Sequence, residues 1–195
     1  MAAARLVLFM LLALGWAAVP ALAGPSDQAL ALIDEYDEMM ANVKGQGDVL
    51  GLVEARGETY ADFVTAITST PARGLVEIEP DDASGLEFWA RSSPEDLESP
   101  IWRLWQEGTR HHWAWPCRSC EDYFIPRFKQ LRWPKTASPA QAKQAATLEC
   151  PRCGAQHVET DKVWMNARGA MVAPGQQVTL KDDAAHVIGA PADSA

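Results

Sequence analysis

Four cysteines stand in two pairs, Cys117-Arg118-Ser119-Cys120 and Cys150-Pro151-Arg152-Cys153-Gly154, with residues 121 to 149 between them. Two such C-x-x-C corners can bring four thiolate sulfurs to one point, the tetrahedral arrangement that a structural zinc ion accepts. Pro151 presets the second turn, and Gly154 lets the backbone fold back so that its N–H groups face the sulfurs. The first corner has neither residue, and no cysteine is left over. The competing reading is four buried or disulfide-bonded thiols, which the sequence alone leaves open. His111 and His112 adjoin the first corner. Because four cysteines already satisfy zinc, both histidines are expected to be exposed or hydrogen-bonded rather than ligands.

A second constellation lies upstream, where the apolar run Ala29-Leu30-Ala31-Leu32-Ile33 stops at Asp34-Glu35. Such a run suits a strand covered on both faces, as in a parallel sheet. Asp48 reads as the N-cap of a helix through Val49, Leu50, Leu52, Val53 and Ala55 that Gly57 closes. Phe63 to Thr68 reads as a second strand, stopped by Ser69-Thr70-Pro71. Strand, helix, strand implies a right-handed crossover and parallel neighbours, which gathers Asp34, Glu35, Ser69 and Thr70 at one sheet edge. There one acid could hold Mg²⁺, the next could position or deprotonate an attacking water, and hydroxyls could sense a γ-phosphate. The plainer reading is a pair of solvated acids at a strand end. No G-x-x-x-x-G-K-[S/T] string occurs, so nothing in the sequence cradles β- and γ-phosphates.

The elements that would carry the cysteines follow from cap and turn signals. Ser99-Pro100 opens a helix with Ile101, Trp102, Leu104 and Trp105 on its apolar side, ended by Gly108. Trp113-Ala114-Trp115-Pro116 leads into the first corner, and Tyr123–Phe128 and Leu131–Trp133 read as short strands leaving it. Ser138-Pro139-Ala140-Gln141 has the form of a capping box for a helix through Ala146. Leu148-Glu149 returns to the second corner, so the whole suits a zinc ribbon with one elaborated loop. Asp161 is expected to cap a helix from Lys162 to Arg168 closed by Gly169, with a last strand at Met171-Val172-Ala173. From Pro174 onward the composition suggests a linker or tail. The tryptophans at 102, 105, 113, 115 and 133 could stack on bases and the nearby arginines could meet phosphates. Their helical or alternating spacing is that of core residues.

The chain has 195 residues, 48% of them hydrophobic, and a net charge of −9. That is enough for one or two modest cores, and it argues against coating nucleic acid through overall charge. Residues 1 to 26 have the layout of a secretory signal: Arg5, the apolar run Leu6 to Leu14, Pro20, and Ala21-Leu22-Ala23 before Gly24. If it acts, cleavage is expected after Ala23 and the protein is exported.

Taken in order, the motifs resemble the large subunit of lambda-type phage terminases, ATP-driven DNA-packaging motors that also cut the genome. Leu32-Ile33-Asp34-Glu35-Tyr36-Asp37-Glu38-Met39 resembles the family's Walker B strand. Gly47-Asp48 with Val53-Glu54-Ala55-Arg56 resembles its next helix, and Thr68-Ser69-Thr70-Pro71 its coupling segment. Trp115-Pro116-Cys117-x-x-Cys120, Leu131-Arg132-Trp133-Pro134 and Cys150-Pro151-x-Cys153-Gly154 resemble its cysteine-rich region.

The resemblance implies an α/β fold: a partial parallel-sheet, P-loop-type ATPase core over residues 27–98, a zinc-ribbon-like β subdomain over 99–173, and a tail over 174–195. It implies Asp34 and Glu35 as catalytic acids, Ser69 and Thr70 as sensor or coupling residues, and Cys117, Cys120, Cys150 and Cys153 as metal ligands. Its cofactors would be structural Zn²⁺, with Mg²⁺ and ATP in the intact family. Its partners would be viral double-stranded DNA, the terminase small subunit and the portal. The chain then reads as an internal fragment, inactive alone, lacking phosphate loop and nuclease domain, in a bacterial cytoplasm with an accidental signal-like start. The alternative is an exported zinc- or disulfide-stabilised binding module without catalysis.

Overall fold

The computed structural model describes residues 28–192 apart from Met40, Ala72, Leu75 and Val76. The signal-like segment 1–26, with the expected cleavage after Ala23, lies outside the described residues. The chain divides into two compact units, Met1–Gly74 with Pro94–Leu104, and Leu75–Ser93 with Trp105–Ala195.

In the first unit, β1 (Gln28–Ile33), α1 (Val49–Gly57) and β2 (Asp62–Ile67) form the expected strand–helix–strand. The strands pair in parallel, from Gln28 opposite Asp62 to Ile33 opposite Ile67. The carboxylate of Asp48 accepts the N–H of Gly51 at 2.9 Å and caps α1, as the sequence indicates. Ala31, Ile33 and Val53 are buried together, with Leu50, Phe63 and Ile67 packed around them. The expectation that β1 is covered on both faces is corrected. Ala29, Ala31 and Ile33 are buried, whereas Leu32 is 41% and Val64 58% exposed. Among the described residues α1 packs on one side of the two strands, so an uninterrupted apolar run alternates in burial.

Gly57 ends α1 for a different reason from the one expected. It is not among the residues with positive φ, so it makes no left-handed turn. A Cβ there would lie 2.1 Å from the ring of Phe63, and the missing side chain is what lets that ring pack against the helix. A further helix, α2 (Pro100–Glu107), starts in this unit. Ser99 Oγ accepts the N–H of Trp102 at 3.3 Å and Asp37 accepts that of Ile101 at 2.8 Å, satisfying two of the donors a helix start exposes.

The second unit contains β3 (Ile78–Pro80), β4 (Glu87–Trp89), β5 (His112–Pro116), β6 (Tyr123–Phe124), β7 (Leu131–Arg132), α3 (Pro139–Ala145), β8 (Thr147–Glu149), β9 (Gln156–His157), α4 (Asp161–Ala167), β10 (Ala170–Val172), β11 (Gln177–Lys181) and β12 (Ala184–Ile188). Three-stranded antiparallel sheets β10-β5-β6 and β7-β8-β9 flank the two cysteine corners, with hairpins β3-β4 and β11-β12 beside them. Leu86, Phe88, Ala114, Tyr123, Ile125 and Val172 form one core. Cys117, Phe124, Cys150 and Met165 form another.

Several expectations are revised here. Only Tyr123 and Phe124 of the expected strand 123–128 pair with β5; Pro126 has no N–H to continue the ladder, and Phe128–Gln130 is a 3₁₀ turn. Asp161 is the first residue of α4, and its carboxylate turns back to accept the N–H of Val158 at 3.0 Å. Gly169, like Gly57, has no positive φ; a Cβ there would meet the Trp113 ring at 2.5 Å.

The stretch read as a linker or tail after Pro174 forms the hairpin β11-β12 over most of its length. Its two turn residues, Asp182 (φ 51°) and Asp183 (φ 63°), are both left-handed, as a two-residue type I′ connection requires. Val178 and Leu180 pack on the first core of this unit. No helix of the described residues is long and apolar enough to cross a membrane.

Candidate functional site

The two cysteine corners repeat one backbone design. In the first, the strand ending at Pro116 turns through Cys117 to Cys120 and re-enters β6. Cys117 N–H donates to Asp122 O at 2.9 Å, Glu121 N–H to Cys117 O at 2.9 Å, and Ser119 N–H to Cys117 Sγ at 3.3 Å. In the second, Cys150 N–H donates to Ala155 O at 2.8 Å, Gly154 N–H to Cys150 O at 2.9 Å, and Arg152 N–H to Cys150 Sγ at 3.4 Å. The left-handed residue each turn needs is Gly154 (φ 74°) in one and Glu121 (φ 64°) in the other. A corner without proline or glycine therefore reaches the same geometry, with a glutamate in the position that favours glycine.

The corners bring all four sulfurs within 4.8 Å of one another. Cys117 and Cys153 are 3.6 Å apart and Cys120 and Cys150 3.9 Å apart, too far for the ~2.05 Å of a disulfide. They match the edge of a sulfur tetrahedron with bonds of ~2.3 Å, about 3.8 Å. All four cysteines are free; Cys117 and Cys150 are buried, Cys120 half-buried and Cys153 exposed. Burial pushes the Cys120 and Cys150 thiols above their ordinary range, while the Ala155 N–H lowers Cys153 to about 7. A cation bound among them reverses this, since coordination deprotonates a thiol outright. The donor set suits a metal ion with tetrahedral preference.

Three sets of side-chain contacts around the corners have no counterpart in the sequence reading. His157, at the end of β9, is 5% exposed and places Nε2 3.3 Å from Cys117 Sγ. Arg118 donates to Asp161 at 2.6 Å and thereby holds its carboxyl below the usual range. Asn166 accepts from the indole N–H groups of Trp113 at 3.1 Å and Trp115 at 2.8 Å, tying α4 to the strand that enters the first corner.

His111 and His112 stand outside the sulfur cluster. His111 Nδ1 bonds Thr109 Oγ1 at 2.7 Å. His112 is 5% exposed, edge-on to Phe88 and Trp105 and tilted against Trp89. Burial depresses its pKa to about 4. Trp102 is buried, and Trp105, Trp113 and Trp115 make packing or hydrogen-bond contacts within the second unit.

The acid edge of the first unit lies where β1 and β2 end side by side. Asp34 Oδ1 accepts Thr68 Oγ1–H at 2.5 Å and the Glu35 N–H at 3.0 Å. Glu35 is exposed and left-handed, with φ 55°. Ser69 Oγ accepts the N–H of Asp37 at 2.9 Å, and Thr70 follows, exposed, on the same edge. Where the parallel register ends, Asp34 thus lies beside Thr68 and Asp37 beside Ser69, with Glu35 and Thr70 next to them in sequence. The hydroxyl that engages Asp34 belongs to Thr68, one residue before the expected pair.

No curated protein and no solved structure matches the chain. The family model described as phage terminase large subunit gpA, ATPase domain, matches residues 8–170, a span holding the acid edge and all four cysteines and beginning inside the apolar run near the N-terminus. The chain belongs to that family, the ATPase domain of the phage terminase large subunit gpA.

Proposed function

We propose that the chain supplies the acid edge of a DNA-packaging ATPase together with a zinc-closed module that follows it. The observation that carries the ATPase reading is the pair Asp34-Glu35 at the carboxyl end of a parallel strand, in a family whose domain hydrolyses ATP. Open α/β sheets bind ligands at that end. The exposed Asp34 carboxylate is held by Thr68 and the Glu35 N–H and would hold Mg²⁺. The ion would neutralise charge on the β- and γ-phosphates. Glu35 would orient and deprotonate the attacking water. Its left-handed backbone costs about 1–2 kcal/mol, a strain of the kind concentrated at functional sites. Ser69, which fixes Asp37, and Thr70 would relay the state of the edge into the turn that caps α2. Viral double-stranded DNA, a small terminase subunit and the portal would be the partners of the assembled motor.

The cysteine module is proposed to hold zinc rather than another ion, because four thiolates in a tetrahedral set suit a borderline-soft d¹⁰ cation. The ribbon's role is structural.

No phosphate loop occurs in this sequence, and acids alone repel a nucleotide's phosphates. Residues 24 to 195 are therefore expected to show no ATP turnover above background. The roles are tested by placing Glu35→Gln in an intact relative that carries this stretch. Hydrolysis should fall by about 100-fold or more while nucleotide binding persists. Undiminished hydrolysis there, or turnover by the isolated chain that Glu35→Gln abolishes, would contradict the reading.

A further inference from the structure

We propose that His157 is the outer-shell donor of the four-sulfur site: its Nε2–H donates to the Cys117 sulfur and sets both metal affinity and the electron density of that thiolate. This rests on the metal reading of the cysteines. A metal-bound cysteine has lost its proton and can only accept, so at 3.3 Å the hydrogen must sit on Nε2. The ring is 5% exposed and lies parallel to Phe124, with centroids 6.4 Å apart and planes 16° apart, so it cannot swing away without disturbing the core beside the sulfurs. Behind the ring, Nδ1 faces Asp161 Oδ2 at 4.0 Å. Asp161 is itself held by the Val158 N–H at 3.0 Å and by Arg118 at 2.6 Å.

Asp161 ties Arg118 to the far side of this ring, at a distance from Nδ1 longer than a hydrogen bond. Arg118 is the residue after Cys117, inside the first corner, whereas His157 leaves the second corner on β9 and Asp161 opens α4. The contact of His157 with Cys117 therefore joins the chain leaving the second corner to the first corner through a side chain. Cys117 is also the most enclosed sulfur, fully buried and already accepting the Ser119 N–H. A second donor there withdraws charge from the thiolate and moderates the repulsion that four sulfurs on one divalent cation create. His157 is not within the cluster of four sulfurs, so its place is behind a ligand and not among them.

The test uses the full 195-residue chain, with zinc affinity measured by chelator competition and coordination read from Co²⁺ spectra. Two variants separate the donor from the ring: His157→Phe keeps the stacking on Phe124 without a donor, and His157→Gln keeps an N–H. The wild type should give a four-thiolate cobalt spectrum. His157→Phe should bind zinc roughly 10–100-fold more weakly, the usual effect of losing an outer-shell partner. Its sulfur-to-cobalt charge-transfer band should move to lower energy with the number of thiolates unchanged. His157→Gln should recover most of both properties. Native affinity and an unshifted band in His157→Phe would overturn this inference while leaving the metal site standing. So would a cobalt spectrum showing that His157→Phe removes a nitrogen ligand. A wild type that binds no zinc would overturn the metal reading and this inference together.

Discussion

Glu121 and Gly154 hold the same place in two turns, and the difference between them measures what the first corner sacrifices. A left-handed conformation costs a residue with a Cβ about 1–2 kcal/mol, part of which glycine loses again as chain entropy on folding. Glu121→Gly should therefore stabilise the second unit by roughly 0.5–1 kcal/mol in chemical denaturation. Gly154→Ala should destabilise it by about 1–2 kcal/mol. No atom lies within 4 Å of the added methyl, so the whole effect would be conformational. His112 provides a pH handle away from the sulfurs. Its Nδ1 lies 3.0 Å from Arg110 O and its Nε2 accepts from Trp89 N–H at 3.5 Å, an arrangement that suits the neutral ring. Its folded pKa of about 4 lies below the ~6.5 of an unfolded chain, so the folded state holds the unprotonated form. That contribution is fully present above pH ~6.5 and is lost as pH falls through about 4, up to about 3 kcal/mol in all. His112→Phe should flatten the fall in stability between those limits, measured as the difference from wild type. An equal slope in both proteins would show that other groups carry it.

At the scale of elements, two of the three glycines expected to close helices, Gly57 and Gly169, act through packing. Gly57→Ala would drive a methyl into the Phe63 ring, and a loss of about 1–3 kcal/mol in the first unit is expected. It would be read as faster amide exchange across α1 and β2. Unchanged exchange would mean that the ring moves freely. The parallel pair β1-β2, the Asp48 cap, the Ser138 capping box and the helix after Ser99-Pro100 were all legible, because each rests on a local rule that tertiary context did not oppose. The one-sided cover of β1 was not, since a run of consecutive apolar residues cannot say which neighbours exist to cover it. Hairpin β11-β12 was hidden for another reason. Val178 and Leu180 alternate with polar residues around an Asp-Asp turn, but the surrounding glycine, proline and alanine masked a period-two signal. In the site, C-x-x-C spacing located the four sulfurs, whereas His157 reaches Cys117, and Asp161 reaches Arg118, only through the return of β9 and α4, which no spacing rule encodes.

At the scale of the whole molecule, the chain joins an acid edge in one unit to a second unit with a core built around Cys117 and Cys150, with Cys120 packed against them. Cys117 and Cys150 stand where a small domain otherwise needs bulky apolar side chains. Metal binding and folding of that region are therefore expected to be one event, and a strong chelator should unfold the β7-β8-β9 sheet and α4 together. The family match begins at residue 8, so residues that look like an export signal also align with an ATPase domain. Full-length protein in the cytoplasm is the expected finding, and a mature chain starting at Gly24 outside the inner membrane would count against it. The account turns on four reduced sulfurs sharing one ion, and the native mass spectrum of freshly purified full-length chain tests it most directly. It should show a single species heavier than the apo-protein by one zinc ion, collapsing to reduced apo-protein on acidification. A metal-free species lighter by four hydrogens, the signature of two disulfides, would contradict it.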